Sequence, residues 1–213
     1  MPEIAANLKI SQATVSDAKL ISVLGAVSFY EAYFEQDTAH DLANYIHESF
    51  ELAKIRTEIE DKHAAFFIIY ADEKAVGYAK LREGSKVDCI KNENSIELQR
   101  IYTIERDYGK GIGESLLKHC LETAKLKGFE TLWLGVWEEN IRAQKFYAKY
   151  GLLASARSRS PTAKRSESTL SSKKFYKTER KNLPTNHTKI KSKFCNASIK
   201  SNERLERNRP ACR

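Results

Sequence analysis

The sequence predicts a mixed α/β domain over residues 1–151, followed by a basic segment over residues 152–213. Between Leu8 and Gly151 the apolar residues change repeatedly between a period of about 3.6 and a period of about 2, as in helices and strands. After Gly151 no window sustains either period. Such a segment buries too little apolar surface to offset its ordering entropy, so we expect it to be disordered or loosely helical.

Helices are predicted before the first long strand. Thr14 and Ser16 are candidate N-caps of a helix whose apolar face covers residues 18–29. Thr38 opens a second helix, because an acidic residue follows three positions later as in a capping box. Residues 52–59 are expected to add a further short helix.

Strands follow in the middle of the chain. Ala64–Ala71 and Val76–Leu81 are apolar, and the acidic turn between them indicates an antiparallel hairpin. Ser95–Ile104 is the next strand, and Thr131–Val136 is a buried one. Strict alternation in the third strand places a set of five residues on one face: Ile96, Leu98, Arg100, Tyr102 and Ile104.

A glycine-rich turn at Tyr108–Gly113 lies between the third strand and a strongly amphipathic helix, which Gly128 ends. Glycines let several backbone N–H groups turn inward, and a helix start adds partial positive charge. The turn therefore predicts a cradle for a pyrophosphate. A P-loop fits less well, because Lys110 is followed by glycine instead of Ser or Thr. The spacing GxGxG also differs from the GxGxxG of dinucleotide-binding domains.

These motifs resemble a known family. Residues 96–152 read IELQRIYTIERDYGKGIGESLLKHCLETAKLKGFETLWLGVWEENIRAQKFYAKYGL and look like the acetyl-CoA core of the GNAT N-acetyltransferase superfamily. The phrase LWLGVWEENIRAQKFY is most similar to the PaiA-type branch, which acetylates polyamines. The resemblance covers about residues 4–151. It implies a mixed twisted sheet flanked by helices, with acetyl-CoA as co-substrate and direct transfer to a primary amine in a ternary complex. The two strands that end the family's sheet are expected to be missing or replaced.

The resemblance also implies roles for particular residues. The main chain of Ile101, Tyr102 and Thr103 would meet the pantetheine arm where two central parallel strands splay apart. Asn140 would contact the cofactor, unless it serves only as a helix N-cap. Tyr108 stands where the family's phosphate loop usually has Gln or Arg. The backbone amides expected to hold the pyrophosphate are those of Tyr108, Gly109, Lys110, Gly111, Ile112, Gly113 and Glu114.

Two side chains are candidates for proton transfer. Tyr147 falls on the tyrosine that protonates the departing thiolate in many relatives, although a core aromatic would also suit that helix face. Glu97 falls where histone acetyltransferases of the superfamily carry a base, although it could equally be a partly solvated structural residue. Gly135 occupies the other position used for a base and cannot serve. An amine near its usual pKa of about 10.4 needs such help at neutral pH.

The acceptor is predicted from charge. Residues 31–61 hold nine acidic side chains against Lys54 and Arg56, which suggests a wall for a polyamine or another cationic amine. Ordinary solvated helix faces would have the same composition. The acidic residues are Glu31, Glu35, Asp37, Asp41, Glu48, Glu51, Glu58, Glu60 and Asp61.

The cysteines and histidines bound the chemistry further. Cys89, Cys120, Cys195 and Cys212 show no paired spacing, which favours a reduced, cytoplasmic setting. None of them is placed for an acyl-enzyme, and the histidines show no ligand spacing, so no metal is predicted. No apolar run reaches the roughly 18–20 residues that cross a bilayer, and no secretory signal is evident at the N-terminus.

The net charge of +8 divides unevenly between the two segments. Residues 1–151 have 19 basic and 24 acidic side chains, a net of −5, whereas residues 152–213 have 17 and 4, a net of +13. A catalytically impaired acetyl-CoA-binding protein, whose basic tail binds nucleic acid or an anionic surface, is therefore the alternative function. The tail is either a divergent extension or the product of a reading-frame change near codon 151. Homodimerisation is left open.

Overall fold

The computed structural model describes residues 7–87, 90, 92–159 and 172–179. The strands are β1 (Leu8–Gln12), β2 (Ala64–Ala71), β3 (Lys74–Glu83), β4 (Ser95–Thr103), β5 (Thr131–Trp137), β6 (Leu153–Arg159) and β7 (Ser172–Glu179). The helices are α1 (Ala18–Tyr33), α2 (Ala39–Phe50), α3 (Leu52–Glu60), α4 (Ile112–Leu126) and α5 (Ile141–Lys149). The strands form one sheet in the order β1-β2-β3-β4-β5-β7-β6, with β4 and β5 parallel and the other pairs antiparallel. The predicted mixed α/β class is confirmed.

Helices cover both faces of the sheet. On one face Arg100 meets Glu58 of α3, and Tyr102 packs edge-on against Phe29 of α1. On the opposite face Phe67 of β2 contacts His119 of α4. The helix α4 is the strongly amphipathic helix predicted after the glycine turn, and its apolar residues are buried: Ile112, Leu116, Leu117, Cys120, Leu121 and Ala124. An amphipathic stripe was enough to predict this helix, because it packs by one face only.

Local sequence signals explain the predicted helix start and hairpin. Thr38 Oγ1 accepts the Asp41 N–H at 3.2 Å and donates to the Asp41 carboxylate at 2.8 Å, which caps α2. Thr14 instead caps a 3₁₀ turn, and Asp17 is the N-cap of α1. The β2–β3 hairpin turns through Asp72 and Glu73, both with positive φ.

A bulge changes the faces of β4. Lys80 pairs with Arg100 while Leu81 pairs with Leu98, so Gln99 is an extra residue in β4. Because side chains alternate along a strand, an extra residue reverses the faces beyond it. Leu98 therefore faces α4, whereas Arg100 faces α1–α3. The prediction that one face carries all five alternating residues was wrong beyond Leu98, since a period in the sequence cannot show a bulge.

Two strands follow Gly151, although the sequence led us to expect none. β7 pairs with the whole of β5, and β6 pairs with β7. The lysine-rich β7 lacks a strong apolar pattern, and its place is fixed by pairing with β5. Tyr176 supports it by donating a hydrogen bond to Gln144 Oε1 of α5 at 3.2 Å. Residues 160–171 and 180–213 lie outside the described residues, where a disordered basic tail stays a prediction.

Candidate active site

A gap opens between the two central parallel strands. β4 and β5 pair over three residues each, from Ser95 with Thr131 to Glu97 with Trp133, and then diverge. On its other side β5 pairs with β7 along its whole length, and Gly135 of β5 is exposed. Ile101–Thr103 pair with β3 but with no other strand of the described chain. The predicted splay is confirmed, and it leaves one edge of β4 open.

The glycine turn ends at the open end of this gap. Gly109 and Gly111 have φ values of 82° and 79°, a left-handed conformation that residues with a Cβ adopt at a cost. Gly111 is the N-cap of α4, and the helix hydrogen bonds begin when Ser115 N–H donates to the Gly111 carbonyl at 2.9 Å. The amides of residues 111–114 have no acceptor among the described residues. They form a set of free donors at a helix start, which suits an anion.

The backbone also corrects the frame of the motif. The two left-handed glycines are Gly109 and Gly111, whereas Gly113 lies inside α4, where an added Cβ would be 3.6 Å from Phe146. Counting back from the left-handed pair places Arg106, not Tyr108, at the position that the family fills with Gln or Arg. Arg106 was missed because the sequence has three alternate glycines and does not show which two carry positive φ.

Side chains around the turn are paired in several ways. Lys110 Nζ forms an ion pair with Asp107 at 2.9 Å, and its amide donates weakly to the Asp107 carbonyl at 3.4 Å. Glu114 pairs with Lys118 at 2.8 Å, a hydrogen bond that lowers the pKa of the Glu114 carboxyl. The guanidinium carbon of Arg142 lies 3.7 Å from the ring centroid of Tyr108. These contacts hold the turn between the start of α4 and the start of α5.

Helix α5 carries Asn140 and Tyr147. Asn140 Oδ1 accepts the Ala143 N–H at 2.9 Å, so this side chain is the N-cap of α5. Tyr147 is buried against Phe146 and Tyr176. Burial raises the pKa of the Tyr147 phenol well above its usual value, with smaller contributions from the nearby Tyr33 and Cys120. The phenol therefore keeps its proton at neutral pH.

Glu97 lies at the closed end of the gap. It belongs to the last β4–β5 pair, and its carboxylate accepts a long hydrogen bond of 3.4 Å from Gln99 Nε2. Six residues of strand, about 20 Å, separate it from Thr103 at the open end. No described contact joins Glu97 to Tyr147. The structure therefore brings Ile101–Thr103, the glycine turn and α5 to one end of the gap and leaves Glu97 at the other.

A buried ion cluster faces α3 and was not predicted. Both Arg100 guanidinium nitrogens contact Glu58, at 2.6 and 3.2 Å, and Lys80 Nζ meets the same carboxylate at 3.0 Å. Desolvation opposes the charge of Glu58, but its two cations lower the pKa of its carboxyl overall. Lys80 is 2% exposed, and burial lowers its pKa despite the carboxylate. Arg100 joins this cluster because the Gln99 bulge turns it toward α3.

The acidic residues of the first helices are partly engaged in local contacts. Asp41 caps α2, Asp61 accepts the His63 N–H at 2.9 Å, and Glu58 belongs to the ion cluster. Glu31 accepts the Glu105 N–H at 2.8 Å and so ties α1 to the segment before the glycine turn. Asp37 is half-buried near Tyr33, where its charge helps burial to raise the pKa of that phenol to about 12.

Comparison with known proteins identifies this arrangement. A sequence model of the acetyltransferase (GNAT) family matches residues 23–152, more than half of the chain. The chain belongs to the GNAT acetyltransferase family. It is an acetyl-CoA-dependent N-acetyltransferase, and the free amides at 111–114 with the open edge of β4 fit the diphosphate and the amide-bearing arm of coenzyme A.

Individual relatives agree with the family. This GNAT acetyltransferase is 29% identical over 150 residues to an uncharacterized N-acetyltransferase in the pepI 3′ region of Lactobacillus delbrueckii subsp. lactis, covering 68% of this chain and 84% of the relative. It is 29% identical over 84 residues to the spermine/spermidine N(1)-acetyltransferase of Bacillus subtilis, covering 39% of this chain and 55% of that protein.

Solved structures share the fold at lower identity. The PaiA N-acetyltransferase of Thermoplasma acidophilum, in complex with coenzyme A, superposes with a TM-score of 0.66 at 19% identity and covers 81% of this chain and 99% of its own. The yncA acetyltransferase of Salmonella typhimurium, with acetyl-CoA, gives 0.59 at 17% identity and covers 88% and 99%. Over the part of the chain that is described, no helix has the length and apolar character for a membrane span. The same residues contain no cluster of three metal-ligating side chains.

Proposed function

We propose that this GNAT acetyltransferase acetylates a small cationic amine, with a polyamine as the first candidate, in the gap between β4 and β5. The observation that carries this proposal is the convergence of free amides at 111–114, the open edge of Ile101–Thr103 and the start of α5 on one place. Main-chain donors would hold the diphosphate of the carrier, and we place the acceptor beside α1, where the Tyr33 ring lies 6.0 Å from that of Trp137.

The residues near the gap supply the binding groups. The amides of 111–114 would hold the diphosphate, and the main chain of Ile101–Thr103 would pair with the pantetheine arm. Arg106 would add a positive charge at the start of the turn, and Asn140 would fix the start of α5 beside it. Acetyl-CoA, when bound, would supply an acetyl thioester whose sulfur leaves as the coenzyme A thiolate when the amine nitrogen bonds to the acetyl carbon.

Two proton transfers accompany that exchange. Tyr147 would donate its phenol proton toward the departing sulfur, which is supported by its position on α5, the helix that borders the gap. The attacking amine must lose a proton, and Glu97 would accept it through water at the closed end. Glu97 has the weaker structural support of the two, because no described contact joins it to Tyr147.

The acceptor preference rests on Asp37 and its neighbours. Asp37 lies near Tyr33, whose ring is 6.0 Å from that of Trp137 at the end of β5. A carboxylate beside aromatic faces attracts an ammonium group. The relation to a spermine/spermidine acetyltransferase agrees with this choice. Only part of the acidic set contributes, because Asp41, Asp61 and Glu58 have local partners.

Binding of the carrier is tested first. Calorimetric titration of the purified full chain with acetyl-CoA should give a one-to-one complex with a dissociation constant in the micromolar range. That range corresponds to a binding free energy of about −8 kcal/mol. If folded protein takes up no acetyl-CoA at millimolar concentration, the proposed site is wrong.

Acceptor choice is tested by thiol release with spermidine, spermine, an aminoglycoside and a lysine peptide. We expect the polyamines to give the highest kcat/KM. Asp37→Asn should raise the KM for spermidine about tenfold without changing the KM for acetyl-CoA. Glu48→Gln removes an exposed carboxylate from the same acidic set and serves as the matched control. Equal rates for all four amines would remove the polyamine preference and leave the transferase.

A further inference from the structure

We propose that Arg142, held over the ring of Tyr108, is a phosphate-binding residue for the nucleotide end of coenzyme A. This inference rests on the proposed function of the glycine turn and adds a second basic side chain, beside that of Arg106, to a site built mainly from main-chain donors.

The position of Arg142 is fixed by two contacts between α5 and the turn. Its guanidinium carbon lies 3.7 Å from the ring centroid of Tyr108, which is a stacking distance. One helical turn further along α5, Phe146 lies 3.6 Å from the position of a Cβ built on Gly113 in the first turn of α4. Arg142 and Phe146, one helical turn apart on α5, therefore both lie against the glycine turn.

The charge of Arg142 is available to a ligand. The guanidinium forms no ion pair with a carboxylate of the described residues, and the side chain is exposed. Glu31 lies near Tyr108, but its carboxylate accepts the Glu105 N–H at 2.8 Å. The ring of Tyr108 occupies one face of the guanidinium, and the N–H groups at its edge have no partner among the described residues. That edge matches the oxygens of a phosphate.

The distance to the amide donors suits a carrier with several phosphates. Tyr108 and Gly111 are three residues apart, so their Cα atoms are at most about 11 Å apart. A guanidinium stacked on Tyr108 is thus within reach of a ligand whose diphosphate sits on residues 111–114. Coenzyme A carries both a 5′-diphosphate and a 3′-phosphate on its nucleotide, and either group satisfies the chemistry.

The test measures coenzyme A binding to the full chain by titration. Arg142→Gln should raise the dissociation constant of coenzyme A about tenfold. Arg142→Lys should recover only part of the lost affinity, because an ammonium does not stack or bind two oxygens. Lys145→Gln removes the same charge from an exposed position on the same helix and should change binding less than twofold. The difference between Arg142→Gln and the wild type should shrink as ionic strength rises.

Dephospho-coenzyme A, which lacks the 3′-phosphate, identifies the phosphate. If Arg142 contacts the 3′-phosphate, Arg142→Gln should weaken the binding of coenzyme A but not that of dephospho-coenzyme A. If it contacts the diphosphate, both should weaken equally. Tyr108→Ser removes the ring on which Arg142 stacks and should weaken the binding of coenzyme A as Arg142→Gln does.

Two results would overturn the assignment. One is coenzyme A affinity that is unchanged in Arg142→Gln while the wild type binds well. The other is an effect of Arg142→Gln confined to the KM of the amine. Failure of the wild type itself to bind coenzyme A would instead refute the proposed function.

Discussion

The glycine turn before α4 and the ion cluster beneath α3 use polar groups in opposite ways. At the turn, the amides of residues 111–114 have no acceptor within the described chain, and the helix start adds partial positive charge. In the cluster, Arg100 and the buried Lys80 share the largely buried carboxylate of Glu58. Unused donors make a binding site, whereas satisfied charges fix the packing of a helix on a strand. The two regions should therefore fail differently when they are mutated.

The largest effect is expected at the cluster. Glu58→Gln leaves two cations in a buried site without their carboxylate, so the free energy of unfolding should fall by about 3–5 kcal/mol. Chemical denaturation of the full chain measures this change. Glu48→Gln, which removes an exposed carboxylate from α2, should change stability by less than about 0.5 kcal/mol.

The stabilities of the wild type and Glu58→Gln should also differ in their dependence on pH. The pKa of the Glu58 carboxyl is lower in the folded state than in the unfolded state, where it is about 4.3. Its contribution is thus complete above that value and is lost as the pH falls through the folded pKa. The stability gap between wild type and Glu58→Gln should close on acidification. A gap independent of pH would mean that packing, not charge, holds α3 against β4.

At the glycine turn the loss should fall on binding instead. Gly111→Asp forces a side chain into the left-handed region and places a carboxylate among the amides, so coenzyme A affinity should fall about 100-fold. Titration measures the affinity, and thermal unfolding should show that the fold persists. Gly84→Asp is the control for backbone strain alone, because Gly84 also has a positive φ and open space around it. Normal binding by Gly111→Asp would contradict the cradle.

The next effect is on the chemical step. Tyr147→Phe removes the buried phenol while keeping the ring, so kcat should fall roughly 100-fold with little change in the affinity for coenzyme A. Steady-state kinetics and titration separate the two quantities. Tyr30→Phe removes an exposed phenol from α1 and should leave kcat unchanged. A Tyr147→Phe variant with full kcat would make Tyr147 a core aromatic only.

The smallest effect is expected at the N-cap of α2, which lies outside both the glycine turn and the ion cluster. Thr38→Ala removes the acceptor of the Asp41 N–H at the start of α2 and should cost about 1 kcal/mol of stability. Thermal unfolding measures it, and Thr38→Ser should restore most of the loss. Because α2 lies apart from the turn, coenzyme A affinity should not change. A loss of affinity would show that the acceptor-side helices and the turn are coupled.

Much of the fold was predictable because it is local. The period of α4, the hairpin after Ala71 and the cap at Thr38 each depend on residues within a few positions of one another. The bulge at Gln99 was not predictable, because the register of β4 is set by β3. The two last strands were missed for the same reason, since β7 depends on pairing with β5.

In the candidate site too, the features that depend on neighbouring residues were predictable and those that depend on distant segments were not. The motif predicted the glycine turn and Asn140 as a helix start, but it did not show which glycines carry positive φ or that Arg106 begins the pattern. The stacking of Arg142 on Tyr108 joins residues 34 positions apart in the sequence. The roles of Glu97 and Tyr147 remain predictions, and the structure supports Tyr147 more strongly.

By itself the sequence determined the α/β class, the glycine turn and the family, since periodicity and short motifs depend on neighbours in the chain. Only the tertiary structure decided which face Arg100 takes, how Glu58 serves two cations and where Arg142 lies. Those features arise when segments distant in the chain are packed together, and their energies depend on burial that no local pattern specifies.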